Sequence, residues 1–127
     1  MQLTLGDVLQ RLHTVHQDMA AAQRAVRECR DREVEAVEAL RRATVRATLS
    51  DDCPTPKRGE NGVTVAHRDA WVDQQVADER FSAAVAEAVR KSAEDALRVS
   101  RDQASVVQSL SALMRAEMQL SSTPGAP

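Results

Sequence analysis

SDDCPTPKRGENGVT, residues 50–64, holds two prolines and two glycines between two long stretches of helix-forming residues. Proline lacks the backbone N–H that a helix interior needs, and glycine gains too much freedom on leaving the helix to hold one together. The helix arriving from the N-terminal side must therefore stop here, and Thr64 offers a hydroxyl cap for a new one.

Upstream of this segment, apolar residues recur at steps of three and four: Leu5, Val8, Leu12, Val15, Met19, Ala22, Val26 and Cys29. That spacing is a heptad seam. Glu33 interrupts it, and Val34, Val37, Leu40 and Thr44 resume it one position later, which predicts a contact face that drifts around the helix. Thr4, with Asp7 three residues on, marks the start, so a first helix is predicted over about residues 4–49 with its weakest stretch at His13 to Asp18. After a loop over about 50–63, Trp71, Val72, Val76, Val85, Val89, Ala96, Val99, Val106, Leu110 and Leu113 carry the pattern of a second helix. It is predicted over about 65–119, with a bend near Asp78 to Phe81. Residues 121–127, SSTPGAP, read as a disordered tail.

The composition agrees with a chain made of helices. Of 127 residues, 43% are hydrophobic but only 2% aromatic, and alanine is abundant, so the large side chains that fill a globular core are scarce. The fold expected is all-α: one domain, residues 1–120, forming a long antiparallel helical hairpin. A two-helix hairpin has a single internal seam, whereas Leu9, Val37, Val72, Val107 and Met114 lie off the one read above. The hairpin is therefore expected to self-associate, as a dimeric four-helix bundle or a larger ring, since a small isolated domain buries too little surface.

No run of 18 apolar residues occurs, and the N-terminal MQLTLGDVLQ has neither the charged start nor the apolar block of a signal peptide. A cytoplasmic location is expected, with Cys29 and Cys53 as free thiols.

Catalytic chemistry finds little support, and no cofactor is called for. His13 and His16 are three apart on one helix but lack a third ligand at a defined spacing. Asp51, Asp52 and Glu60 do not follow a calcium-loop pattern, and Asp51 and Asp52 serve well as turn formers. No phosphate loop, G-x-S-x-G elbow or recognisable Cys/His pair is present.

The distribution of charge is more informative. Residues 21–38 alternate both signs, as a solvated helix face does. From Ala39 to Ser50 the acids disappear while Arg41, Arg42 and Arg46 remain, the loop adds Lys57 and Arg58, and His67 and Arg68 open the second helix. A hairpin would gather these at one end. The helix macrodipole accounts for a cation in the last turn but not for Arg41 and Arg42, about two turns further in. Arg41, Arg42, Arg46, Lys57, Arg58 and Arg68 are thus the candidate contacts to an anionic partner, with nucleic acid the obvious one. Only Trp71 and Phe81 could stack on bases, and Trp71 is expected to pack near the loop end.

The stretch RRATVRATL, residues 41–49, resembles the basic segment of the UvsY family of phage recombination mediators. In that family two lysines, three small or apolar residues and a further basic residue stand where Arg41, Arg42 and Arg46 stand here. The wider layout is similar too: Leu5 to Val8 at the start, a long helix, a Gly/charged loop, a passage like V-x-x-x-x-x-A-D-E-R at Val72 to Arg80, and a long final helix. Close register covers about nine residues. The family's next basic position falls on Thr48, and 15 Arg to 2 Lys is poorer in lysine than the family. The resemblance implies a homo-oligomer that binds single-stranded DNA, helps load a strand-exchange recombinase and displaces the single-strand binding protein, in the host bacterial cytoplasm if phage-encoded. The competing expectation from the same heptads is a coiled-coil structural or adaptor protein that recognises a protein partner without nucleic acid.

Overall fold

The computed structural model describes residues 2–59 and 62–122. It contains three helices, α1 (Leu5–Leu49), α2 (Val65–Gln75) and α3 (Ala77–Ser122), and no strand among the described residues. None of the helices is long and apolar enough to cross a membrane.

Local chemistry sets the ends. At the start of α1 the Thr4 N–H donates to Asp7 Oδ2 (3.0 Å) while the Asp7 N–H donates to Thr4 Oγ1 (3.1 Å), a reciprocal capping box. Hydrogen bonds from Thr4 to the carboxylate, first from its backbone N–H and then from its side chain, hold the Asp7 carboxyl below its ordinary pKa. The weak stretch from His13 to Asp18 stays helical without interruption. At the far end the Ser50 N–H bonds to the Ala47 carbonyl at 3.2 Å, and the Cys53 N–H to that of Ser50 at 3.0 Å, turning the chain out of the helix. The loop is then pinned by the Lys57 N–H to the Val63 carbonyl and the Gly62 N–H to that of Gly59, both 3.1 Å. A Cβ on Gly62 would fall 2.2 Å from the Lys57 carbonyl oxygen, so no other residue fits there unless the loop shifts. Thr64 caps α2, its hydroxyl accepting from the His67 N–H at 3.1 Å.

The second helical stretch is interrupted at Val76 (φ −106°, ψ 16°), rather than bent near Asp78 to Phe81. Val76 is 1% exposed, its N–H still reaches the Val72 carbonyl, and its own carbonyl accepts from Arg80. The Arg80 guanidinium spans the break to Asp73 at 2.8 Å. At its end α3 continues to Ser122, and the Ser121 hydroxyl bonds back to the Glu117 carbonyl at 2.9 Å. Of the tail expected at 121–127, residues 123–127 lie outside the described residues.

The chain divides into two compact units: Met1–Arg27 with Ser92–Pro127, called the terminal unit below, and Glu28–Lys91, the loop unit. In the terminal unit the inward residues of α1 are Leu5, Val8, Leu12, Val15, Met19, Ala22 and Val26, at the expected heptad spacing. Those of α3 are Ala93, Leu97, Ser100, Ala104, Val107, Ser111 and Met114, also at steps of three and four. Leu5, Leu9 and Leu12 line one groove with Ser111 and Met118, and Val15 lines another with Val99 and Val107.

The loop unit corrects the expected drift of the seam. Its α1 row continues unshifted through Cys29, Glu33, Ala36, Leu40, Ala43 and Ala47, all buried or half-buried, while Val34 and Val37 are 68% and 51% exposed. Glu33 holds its place because Arg90 of α3 donates Nε–H to its carboxylate, each side chain being 23% exposed. The facing row is Val72, Val76, Glu79, Ala83, Ala86 and Arg90. The same inversion recurs along α3 in both units. Of the residues that set the apolar pattern in the sequence, Trp71, Val72, Val76 and Leu110 are buried or half-buried, whereas Val85, Val89, Val99, Val106 and Leu113 of α3 are exposed, and Val107 and Met114, which seemed to lie off the seam, face inward. Ala83, Ala86, Ala93 and Ala104 stand among the larger inward residues, and small side chains at such positions allow helix backbones to approach closely.

Candidate nucleic-acid interface

All six cations singled out in the sequence belong to the loop unit. Three lie on α1. The Arg41 guanidinium grips Glu38, one turn earlier, with Nε 3.2 and 3.1 Å from the two carboxylate oxygens and Nη2 2.5 Å from Oε1. Arg42 reaches the same carboxylate, Nε to Oε1 at 3.7 Å. Glu38 lies just outside the acid-free run from Ala39 to Ser50, and its i+3 and i+4 spacing to the two arginines was readable from the sequence. The pairing lowers the Glu38 pKa, chiefly through the Arg41 hydrogen bond, and raises that of Arg41. One carboxylate therefore serves two guanidiniums, whose side chains remain 65% and 69% exposed.

Arg46 stands one turn further along, in the last turn of α1, where it complements the helix C-terminus. It has no ion-pair partner among the described residues. It lines a pocket of about 270 Å³ with Ala43, Ser50, Asp52, Trp71, Gln75 and Glu79. Trp71 is half-buried there, near the loop end as expected from the sequence. Two carboxylates, of Asp52 and Glu79, line this pocket with Arg46 and make it poorly suited to a phosphate.

The remaining three cations are more scattered. Arg68 Nη2 lies 3.5 Å from Asp69 Oδ1. Lys57 and Arg58 are exposed on the loop, and among the described residues no hydrogen bond or ion pair joins them to the α1 arginines. His67 contributes its backbone N–H to the Thr64 cap, with its side chain exposed. Elsewhere, Cys29 and Cys53 are free, half-buried thiols, and no three His, Cys, Asp or Glu side chains among the described residues converge as a metal site. Glu60 lies outside the described residues.

The contact that sequence reasoning missed is Glu33 with Arg90, 57 residues apart. Only the pairing of α1 with α3 could have disclosed it. No protein-family model, no curated protein and no solved structure matches the chain.

Proposed function

We propose that this protein is a homo-oligomeric accessory protein that binds single-stranded DNA through the loop unit and assists recombinase loading, as the resemblance to the UvsY mediators implies. It would act in the bacterial cytoplasm, alongside a strand-exchange recombinase and a single-strand binding protein, with no cofactor. The observation that carries this reading is the charge imbalance on α1: Arg41 and Arg42 share one carboxylate and stay largely exposed. Arg46, a turn away, is unpaired among the described residues.

Within the terminal unit early α1 residues line grooves with late α3 residues, Leu5 with Met118 and Gln10 with Val107, which supports the reading of an antiparallel hairpin that would gather the cations at its loop end. Phosphate contacts of this kind carry no base selectivity and weaken steeply with salt. A few cations per subunit bind weakly, so the affinity would come from several subunits engaging one strand.

The test is fluorescence anisotropy with a labelled oligonucleotide of about 30 nucleotides, titrated at low and high salt. Wild type should bind and release with rising salt, and Arg42→Glu with Arg46→Glu should abolish binding while leaving helicity intact. Unchanged affinity in the double variant would remove the assignment.

A protein-binding adaptor is the second reading, and a specific observation favours it. Glu38 and Asp69 each lie beside a candidate arginine, and Asp52 and Glu79 flank Arg46, so the patch is partly neutralised from within. Absorbance of the purified protein before and after a high-salt wash separates the two, since an adaptor carries no nucleic acid through purification.

A further inference from the structure

In the terminal unit, Val99, Val106, Leu113 and Leu120 stand at strict seven-residue intervals on α3 and are 55%, 67%, 67% and 78% exposed. Each of the first three lies two residues after a buried member of the inward row, Leu97, Ala104 or Ser111, and one before Ser100, Val107 or Met114, which puts this row on the flank of the inward face at ~100° per residue. A heptad row of large aliphatic residues facing water has no local function, and its repeat fits a helix carrying the same repeat.

Two further observations say what covers it. Val99 and Val106 lie on a groove of about 510 Å³ whose α1 wall carries Arg11 and whose α3 wall carries Asp102. Neither charge forms an ion pair within 4 Å among the described residues, and Arg11 is only in longer-range attraction with Asp7, one turn earlier on α1. Opposite charges on the two walls of one groove are what a two-fold related copy of the same surface can satisfy, Arg11 of one copy meeting Asp102 of the other. Surface area points the same way. The chain exposes 9814 Å², whereas a folded monomer of 13.9 kDa exposes about 6,700 Å². The excess, roughly 3,000 Å², means that the ~800 Å² per partner of an ordinary stable interface is available on the exposed surface.

We infer that a second copy of this chain docks along the Val99, Val106, Leu113 and Leu120 row, with Arg11 and Asp102 pairing across the interface. This names the surface for the self-association included in the reading above, and it is testable without nucleic acid.

The experiment is light scattering on the full-length chain after size exclusion, over a range of concentrations, with circular dichroism on each variant. Wild type should run at a multiple of 13.9 kDa. Val106→Glu with Leu113→Glu should lower that mass about twofold or more with unchanged helicity, because both side chains are two-thirds exposed. Val34→Glu, on an exposed site of the loop unit, should leave the mass unchanged. Arg11→Glu should weaken association, and adding Asp102→Arg should restore it, which keeps the test decisive even if the double glutamate variant loses helicity. A monomeric wild type, an unaltered mass in the Val106/Leu113 variant with its helices intact, or a charge swap that fails to restore association would each overturn the inference. Loss of oligonucleotide binding with the assembly intact would instead remove the nucleic-acid reading and leave this surface standing.

Discussion

The terminal unit and the loop unit are built on the same heptad repeat and fill it with different chemistry. In the terminal unit the inward positions are aliphatic or small and uncharged, with Val8, Val26, Leu97 and Ala104 buried. In the loop unit the same repeat takes in Glu33, Arg90 and Glu79 beside buried Ala43, Val72 and Val76. Apolar burial supplies stability without fixing which residues face each other, whereas a charged seam pair adds little net stability and penalises any slip in alignment. The terminal unit thus holds the helices together, and the Glu33–Arg90 pair is placed to set their register.

The largest effect should come from the aliphatic seam. Leu97→Ala should cost about 2–3 kcal/mol in urea unfolding, because it opens a cavity at a buried site, while Val106→Ala on the exposed row should cost under about 0.5 kcal/mol in a monomeric background. Equal losses would erase the distinction between the two rows of α3.

Next comes the charged seam. Glu33→Leu alone should destabilise by about 1–2 kcal/mol, since it removes the carboxylate that a half-buried guanidinium faces. Glu33→Leu with Arg90→Leu should recover wild-type stability or exceed it, yet broaden the register, read as extra cross-strand distances in spin-label measurements between α1 and α3. A double variant that keeps one sharp distance would show that the aliphatic seam alone sets the alignment.

The loop offers a similar, purely local effect. Gly62→Ala should cost about 1–2 kcal/mol, because its Cβ meets the Lys57 carbonyl and the turn must open. Hydrogen exchange should then rise at the amides of Lys57 and of residue 62, the two that donate within the loop, and remain unchanged in the terminal unit.

The smallest effect is electrostatic and exposed. Glu38 has a lowered pKa in the folded chain, so its contribution is present above the unfolded value and is lost as pH falls through the folded one. Melting curves of wild type should therefore show a slight loss in that acid window which Glu38→Gln lacks. The same substitution should strengthen oligonucleotide binding at neutral pH, by leaving Arg41 and Arg42 uncompensated.

Much of the fold was legible because its determinants are local. The Thr4 and Thr64 caps, the proline-bearing loop and the heptad from Leu5 to Cys29 each act over a few residues. The candidate cations were equally legible by type and position, and Glu38 could have been matched to Arg41 and Arg42 by spacing alone. What misled was the assumption that the largest apolar residues face inward. On α3 that fails for Val85, Val89, Val99, Val106 and Leu113, which are exposed, while the buried or half-buried row runs through Ala83, Ala86, Ala93, Leu97, Ser100 and Ala104.

The sequence by itself therefore determined where α1 begins and ends and where α2 begins, since capping and i to i+4 hydrogen bonds depend only on near neighbours, whereas the break at Val76 carries no such local signal. Only the tertiary structure decided which of two heptad rows on α3 is buried, and that Glu33 belongs to the seam rather than interrupting it. Both follow from what α1 presents across the interface: close backbone approach favours small side chains, and a carboxylate can sit in a seam only where a guanidinium 57 residues away comes to meet it.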